Sequence, residues 1–228
     1  MSLAEWKTIV GSSATICLII QFLTGIQVCA QFYKKKTTGD TSGLTFLVGV
    51  GMTYIWYSYG VLIQDFSIQL VNVVGLALQV VYSFCYLAYS PAKCDTARRM
   101  VVTIIFMLTV QTYIILEEDI PTAQLRVGLL CSCLTVVYCS APLASLQQVC
   151  RTQSTASLPF YLIMATAAVT AQWSLYGIII QDAVVLLPNL LGCVVATAQL
   201  GLFCFFPQSD GDKQYAVLEM EARDGNNA

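Results

Sequence analysis

The chain has 228 residues, a formal net charge of −2, and is 57% hydrophobic but only 11% charged, where a typical soluble domain is about 25% charged. A mean hydropathy of +0.71 excludes an ordinary water-soluble globule. In a bilayer core every backbone polar group must be paired within its own segment, and the apolar runs are too long and unalternating for barrel strands, so spanning helices are expected.

Seven runs of the length a span needs fall near 8–30, 44–64, 67–89, 99–116, 124–148, 159–180 and 184–206. Only Lys7 precedes the first run, which ends on Lys34-Lys35-Lys36. That pattern is a stop and anchor rather than a signal-peptide cleavage site. The second and third runs are separated by Gln64-Asp65-Phe66 and the sixth and seventh by Gln181-Asp182, which predicts two tight helical hairpins.

The loops after spans one, three and five, with the tail, hold Lys34, Lys35, Lys36, Lys93, Arg98, Arg99, Arg151, Lys213 and Arg223; the opposite side has Lys7 and Arg126. The positive-inside rule then puts the N-terminus outside or in the lumen and the C-terminus in the cytoplasm. The net charge averages this basic rim with an acidic tail and the Glu117-Glu118-Asp119 loop. Of the ten cysteines most lie in or at the ends of spans, and the chain has no His. They read as small packing residues, which leaves no zinc set, no Cys-His nucleophile and no expected cofactor.

An internal repeat organises the chain. Trp56, Tyr59, Gly60, Gln64, Asp65, Asn72 and Gly75 recur as Trp173, Tyr176, Gly177, Gln181, Asp182, Asn189 and Gly192, each pair 117 positions apart (173 minus 56). Upstream, Gly25 pairs with Pro142 and Lys34 with Arg151; the register slips in a cytoplasmic loop, where Thr45 aligns with Pro159. Two three-span copies share one orientation only if a single span separates them. The organisation is therefore a first repeat over 1–92, a linker helix with its flanking loops over 93–121, a second repeat over 122–207 and a disordered tail over 208–228. The fold class is an all-α membrane protein of seven helices, two parallel three-helix bundles joined as 3+1+3. Parallel repeats place a binding site near the midplane between copies.

Trp56 and Trp173 precede Tyr59 and Tyr176 by three residues, so each Trp shares a helix face with its Tyr. An interfacial aromatic belt is one reading of them; stacking of the indoles on the C–H face of a sugar ring is the other. Asn72 and Asn189 lie inside spans, where an amide must face protein or a wet cavity. A helix-to-helix bond is the plain role and a ligand contact the functional one. Asp65 and Asp182 stand in the tight turns, where a solvated acid is the default, and Tyr59 with Asp182 is the expected outer gate. Pro142 and Pro159 stand near cytoplasmic ends of spans, where loss of a backbone donor makes a hinge. Pro188, one before Asn189, either distorts the backbone or is a plain first-turn proline.

With Ile55-Trp56-Tyr57-Ser58-Tyr59-Gly60 and Asn72, and Gln172-Trp173-Ser174-Leu175-Tyr176-Gly177 with Pro188-Asn189, the chain resembles the SWEET sugar transporters over about residues 8 to 207, the animal branch more than the plant one. The resemblance implies that Asn72, Asn189 and Trp173 bind sugar at the centre and that Tyr59 and Asp182 close the outside. It also implies four prolines as inner hinges; here only Pro142 and Pro159 match, with Gly25 and Thr45 in the other two places. The expected function is a facilitative, bidirectional hexose carrier in the plasma or Golgi membrane, with sugar and lipid as partners, self-association left open, and no nucleic acid. A PQ-loop carrier of another solute and a seven-helix receptor are the rivals, and an enzyme is not expected. Tyr215-Ala216-Val217-Leu218 in the tail has the form of a tyrosine sorting signal.

Overall fold

Each apolar run closes its backbone hydrogen bonds on itself, so helices joined by turns and short connections make up the described residues of this computed structural model, 2–155 and 158–206 with the side chains of 140 and 141 left aside. The helices are α1 (Leu3–Leu23), α2 (Gly25–Lys35), α3 (Leu44–Leu62), α4 (Phe66–Tyr89), α5 (Lys93–Leu116), α6 (Ile120–Tyr138), α7 (Ser140–Thr152), α8 (Phe160–Ile179) and α9 (Ala183–Phe205). The tail with its sorting-signal form lies outside the described residues.

Helices α1 with α2, and α6 with α7, form single long spans, which gives seven rods. Six are long and apolar enough to cross a membrane. Helix α3 is the less apolar seventh, because Tyr, Trp and Gly dilute its Val and Leu. In the first copy α4 packs against both α1 and α3, and in the second α9 packs against both α6 and α8. The copies meet where α1 packs on α8 and α3 on α6, while α5 leans on α3 and α4. Residues such as Ile104, Ile105, Leu108 and Leu116 on α5 stay exposed, as expected of a helix whose solvent is lipid.

The first and fifth spans are each interrupted close to the expected hinge positions Gly25 and Pro142, α1 ending at Leu23 and α6 at Tyr138. Thr24 turns its hydroxyl back onto the Gln21 carbonyl at 2.7 Å. Gly25 lets the ring of Tyr82 lie against the backbone, since a Cβ there would come within 2.3 Å of Tyr82 Cε2. The Tyr82 hydroxyl donates to the Phe22 carbonyl at 3.1 Å. In the second copy the break falls at Cys139, where Pro142 cannot supply a donor to the new helix. Gln199 Nε2, 117 positions after Tyr82, donates to the Pro142 carbonyl at 3.3 Å. Thus Gly25 and Pro142 both sit just past a break between helices. Pro159 is the N-cap of α8 and Thr45 the second residue of α3, so these two stand where helices begin.

The hairpin turns are Schellman-like ends with Gln at the left-handed position. Gln64 and Gln181 both have φ of 55°. Asp65 N–H returns to the Gly60 carbonyl at 2.9 Å and Gln64 N–H to Val61 at 3.1 Å; Asp182 and Gln181 repeat the pattern onto Gly177 and Ile178. Each Asp then caps the next helix: Asp65 accepts the Ile68 N–H at 3.1 Å, and Asp182 the Val184 N–H at 2.8 Å. A cap of this kind is worth about 1 kcal/mol.

Candidate functional site

Between the copies lies about 450 Å³ of space free of protein atoms, part of it open to the surroundings. Its wall is made of residues related by the repeat: Trp56 with Trp173, Asn72 with Asn189, Ile68 with Val185 and Leu18 with Thr135, completed by Val71. A cavity lined by such pairs straddles the axis relating the copies. A second groove runs along α5 and is lined by that helix alone. It brings no groups of different elements together and lies where lipid runs.

Asn72 and Asn189 hold their amides by the same device. Asn72 Nδ2 donates to the Ile68 carbonyl at 2.9 Å and Asn189 Nδ2 to Val185 at 2.8 Å, each one turn back on its own helix. This fixes the rotamer and leaves each Oδ1 and one N–H of each amide for the cavity. Pro188 lies inside α9, past its first turn. The Val184 carbonyl it deprives of a donor is taken by the Ser132 hydroxyl at 3.2 Å, so the proline leaves that carbonyl paired. The first copy has Val71 in that place, which keeps its N–H, and Thr15 on α1, the counterpart of Ser132, is left buried with no partner.

Toward the short turns the cavity is sealed. The Tyr59 hydroxyl donates to Asp182 Oδ2 at 2.7 Å. The Tyr176 hydroxyl reaches both oxygens of Asp65, at 2.9 and 2.8 Å. Each Trp stands edge to face against its Tyr, with ring centroids 6.0 Å apart in the first copy and 5.5 Å in the second. Bonds to an ionised carboxylate are each worth about 1.5–3 kcal/mol, so the two pairs tie the copies firmly at this end.

Three contributors to the seal have no counterpart among the residues singled out from sequence. Lys7 Nζ lies 2.9 Å from Asp65 Oδ2, and Asp65 is only 3% exposed. A turn acid is solvated by default; this one is covered because Tyr176 and Lys7 converge on it. Gly11 and Gly128, also 117 apart, give room to the two tyrosine rings: a Cβ at Gly11 would come within 2.8 Å of Tyr176 Cε2 and one at Gly128 within 2.8 Å of Tyr59 Cε2. The two glycines could have been found by running the repeat offset upstream. Lys7 carried no such signal, since its counterpart is Gln124, which donates instead to the Leu62 carbonyl at 2.7 Å.

At the opposite end α2 packs on α4 and α7 on α9, each within its own copy. All ten cysteines are free, and no group of metal-binding side chains occurs among the described residues.

The sequence matches the family described as "Sugar efflux transporter for intercellular exchange" in two stretches, 8–94 and 125–211. Both edges of these stretches are again separated by 117 positions. It is 35% identical over 214 residues to "Sugar transporter SWEET1" of Drosophila pseudoobscura pseudoobscura, covering 92% of this chain and 95% of that one. The protein of the same name from Mus musculus is 32% identical, with 92% and 95% covered. Among solved structures the fold matches that of a eukaryotic SWEET transporter with a TM-score of 0.83 at 24% identity, covering 90% of this chain and 99% of that one.

Proposed function

The chain belongs to the SWEET family of sugar transporters, and we propose that it is a facilitative carrier of hexoses such as glucose, moving them in either direction by alternating access between its two three-helix copies. The observation that carries this reading is the cavity on the repeat axis, where two amides and two indoles face one another in pairs. Amides can accept from and donate to hydroxyls, and an indole can stack on the apolar face of a pyranose ring. Two indoles narrow the space and favour a monosaccharide over a disaccharide.

Uniport is supported by the chemistry of the wall. Every residue lining the cavity is neutral and non-titrating, so no proton relay of the kind that couples transport to a gradient runs through it. In this reading Asn72, Asn189, Trp56 and Trp173 hold the sugar, Tyr59 with Asp182 and Tyr176 with Asp65 close the outer side, and Gly25 and Pro142 are the hinges. The basic residues at the ends of α2 and α7 and the start of α5 support a cytoplasmic place for those ends, with the Tyr–Asp seal on the outer side.

The test is counterflow of radiolabelled glucose, fructose and sucrose in liposomes containing the purified protein. Saturable exchange of glucose exceeding that of sucrose is expected; exchange of none of the three would refute the assignment.

A further inference from the structure

The four wall pairs are chemically alike in three cases and unlike in one: Leu18 stands where the second copy has Thr135. The difference decides the fate of the two indole N–H groups. Trp56 Nε1 donates to Thr135 Oγ1 at 3.2 Å, and the Thr135 hydroxyl in turn donates to the Cys131 carbonyl at 2.8 Å. Trp173 should find its acceptor at position 18, and a leucine has none. Its Nε1 is buried with no hydrogen-bond partner among the described residues, on a side chain only 5% exposed. A buried donor left unpaired is costly, and a protein that bears this cost on the wall of its own cavity leaves the acceptor to be supplied by the ligand.

We propose that the Trp173 indole N–H is the hydrogen-bond donor that the sugar takes up, by an oxygen of its ring or a hydroxyl, and that the Leu18/Thr135 pair determines that the second copy grips the sugar while the first only stacks on it. This rests on the sugar-carrier reading above. Because the N–H is closed to water in the present conformation, it becomes available when α1, which carries Leu18 and packs on α8, shifts during sugar entry. The sugar then sits off the axis, toward α8. A single leucine-for-threonine difference between two positions 117 apart thus gives a nearly symmetric site a polar and an apolar side.

The experiment is counterflow with four single variants and a panel of monodeoxyglucoses. Trp173→Phe keeps a stacking ring and removes the donor, and should raise the glucose KM about tenfold, against about threefold or less for Trp56→Phe, whose N–H is already spent. Leu18→Thr supplies the missing acceptor without touching either tryptophan. It should raise the KM several-fold while the melting temperature holds or rises. Thr135→Val frees the Trp56 N–H as a second donor and should lower the KM. One deoxyglucose should exchange poorly in the wild type yet show no further loss relative to glucose in Trp173→Phe.

Equal KM values for the two Trp→Phe variants, or an unchanged KM in Leu18→Thr, would overturn the proposal while leaving the carrier reading intact. A wild-type protein that exchanges no sugar removes both.

Discussion

The Tyr59 hydroxyl and the Asp182 carboxylate meet at 2.7 Å across 123 positions of the chain. Asp182 simultaneously caps α9 through the Val184 N–H. One carboxylate therefore fixes a helix start in the second copy and holds a tyrosine of the first, and Asp65 does the same in reverse with Tyr176. In the carrier reading proposed above, opening this end requires both Tyr–Asp bonds to break while both caps survive, so it can open without unravelling the turns.

Tyr59→Phe removes one gate bond and no cap. A charge-assisted bond of about 1.5–3 kcal/mol corresponds to a shift of about tenfold or more toward the outward-open state. Spin labels at positions 64 and 181, which lie on the two short turns, should report a longer distance population growing in the variant by electron double resonance. An unchanged distribution would show that the aromatic packing, not the hydrogen bond, closes the outside.

Lys7 is half exposed and Asp65 nearly sealed, with side-chain exposures of 48% and 4%. Removing Lys7 leaves Asp65 charged in a buried place with Tyr176 and the cap as its remaining partners. Stripping a partner from a fully buried pair costs about 3–5 kcal/mol, but half of this pair is wet, which brings the expectation to about 1–2 kcal/mol. Lys7→Ala should lower the melting temperature in detergent, Lys7→Arg should restore most of it, and Lys7→Ala with Asp65→Asn should lose less than the single change. Additive losses in the double variant would deny the coupling.

The spans, the 3+1+3 order, the hairpin turns and the Tyr59 and Asp182 positions could be read from spacing, because an offset shared by seven residue pairs needs no coordinates. What spacing could not supply were features created by one helix pressing on another. Lys7 looks like a flanking charge until α1 is placed beside the α4 N-terminus. Gly25 looks weaker than proline as a hinge until the ring of Tyr82 is seen lying on it. Leu18 and Thr135 are unlike, so a search for identities passes over them, although their unlikeness is what leaves Trp173 without an acceptor.

Asn72→Ala and Asn189→Ala should each abolish sugar counterflow. Each amide spends one N–H on its own helix carbonyl, a bond worth about 0.6 kcal/mol by the averages for membrane interiors, so folding should be nearly untouched. Monodisperse elution and a melting temperature close to that of the wild type, together with lost exchange, are the expected results. Retained uptake in either variant would remove that amide from the site.

The two bends reach the same shape by different chemistry, and this makes them separable. At Pro142 the donor is absent, so Pro142→Ala restores a backbone N–H, favours a straight α6–α7 span and should slow exchange by stiffening it. At Gly25 the bend depends on Tyr82, whose ring occupies the volume a Cβ would need and whose hydroxyl holds the Phe22 carbonyl. Gly25→Ala must push that ring away, so it should cut turnover about tenfold and destabilise the fold by about 1–3 kcal/mol, the usual cost of an overpacked contact. Tyr82→Phe keeps the ring and loses only the hydroxyl, leaving the Phe22 carbonyl to α2, so it should retain the fold yet favour a straighter first span and slower exchange. If the bend at residue 24 were set by the glycine alone, Tyr82→Phe would exchange sugar at the wild-type rate. A slowed Tyr82→Phe with wild-type stability is the result that identifies the tyrosine as the first copy's substitute for a proline.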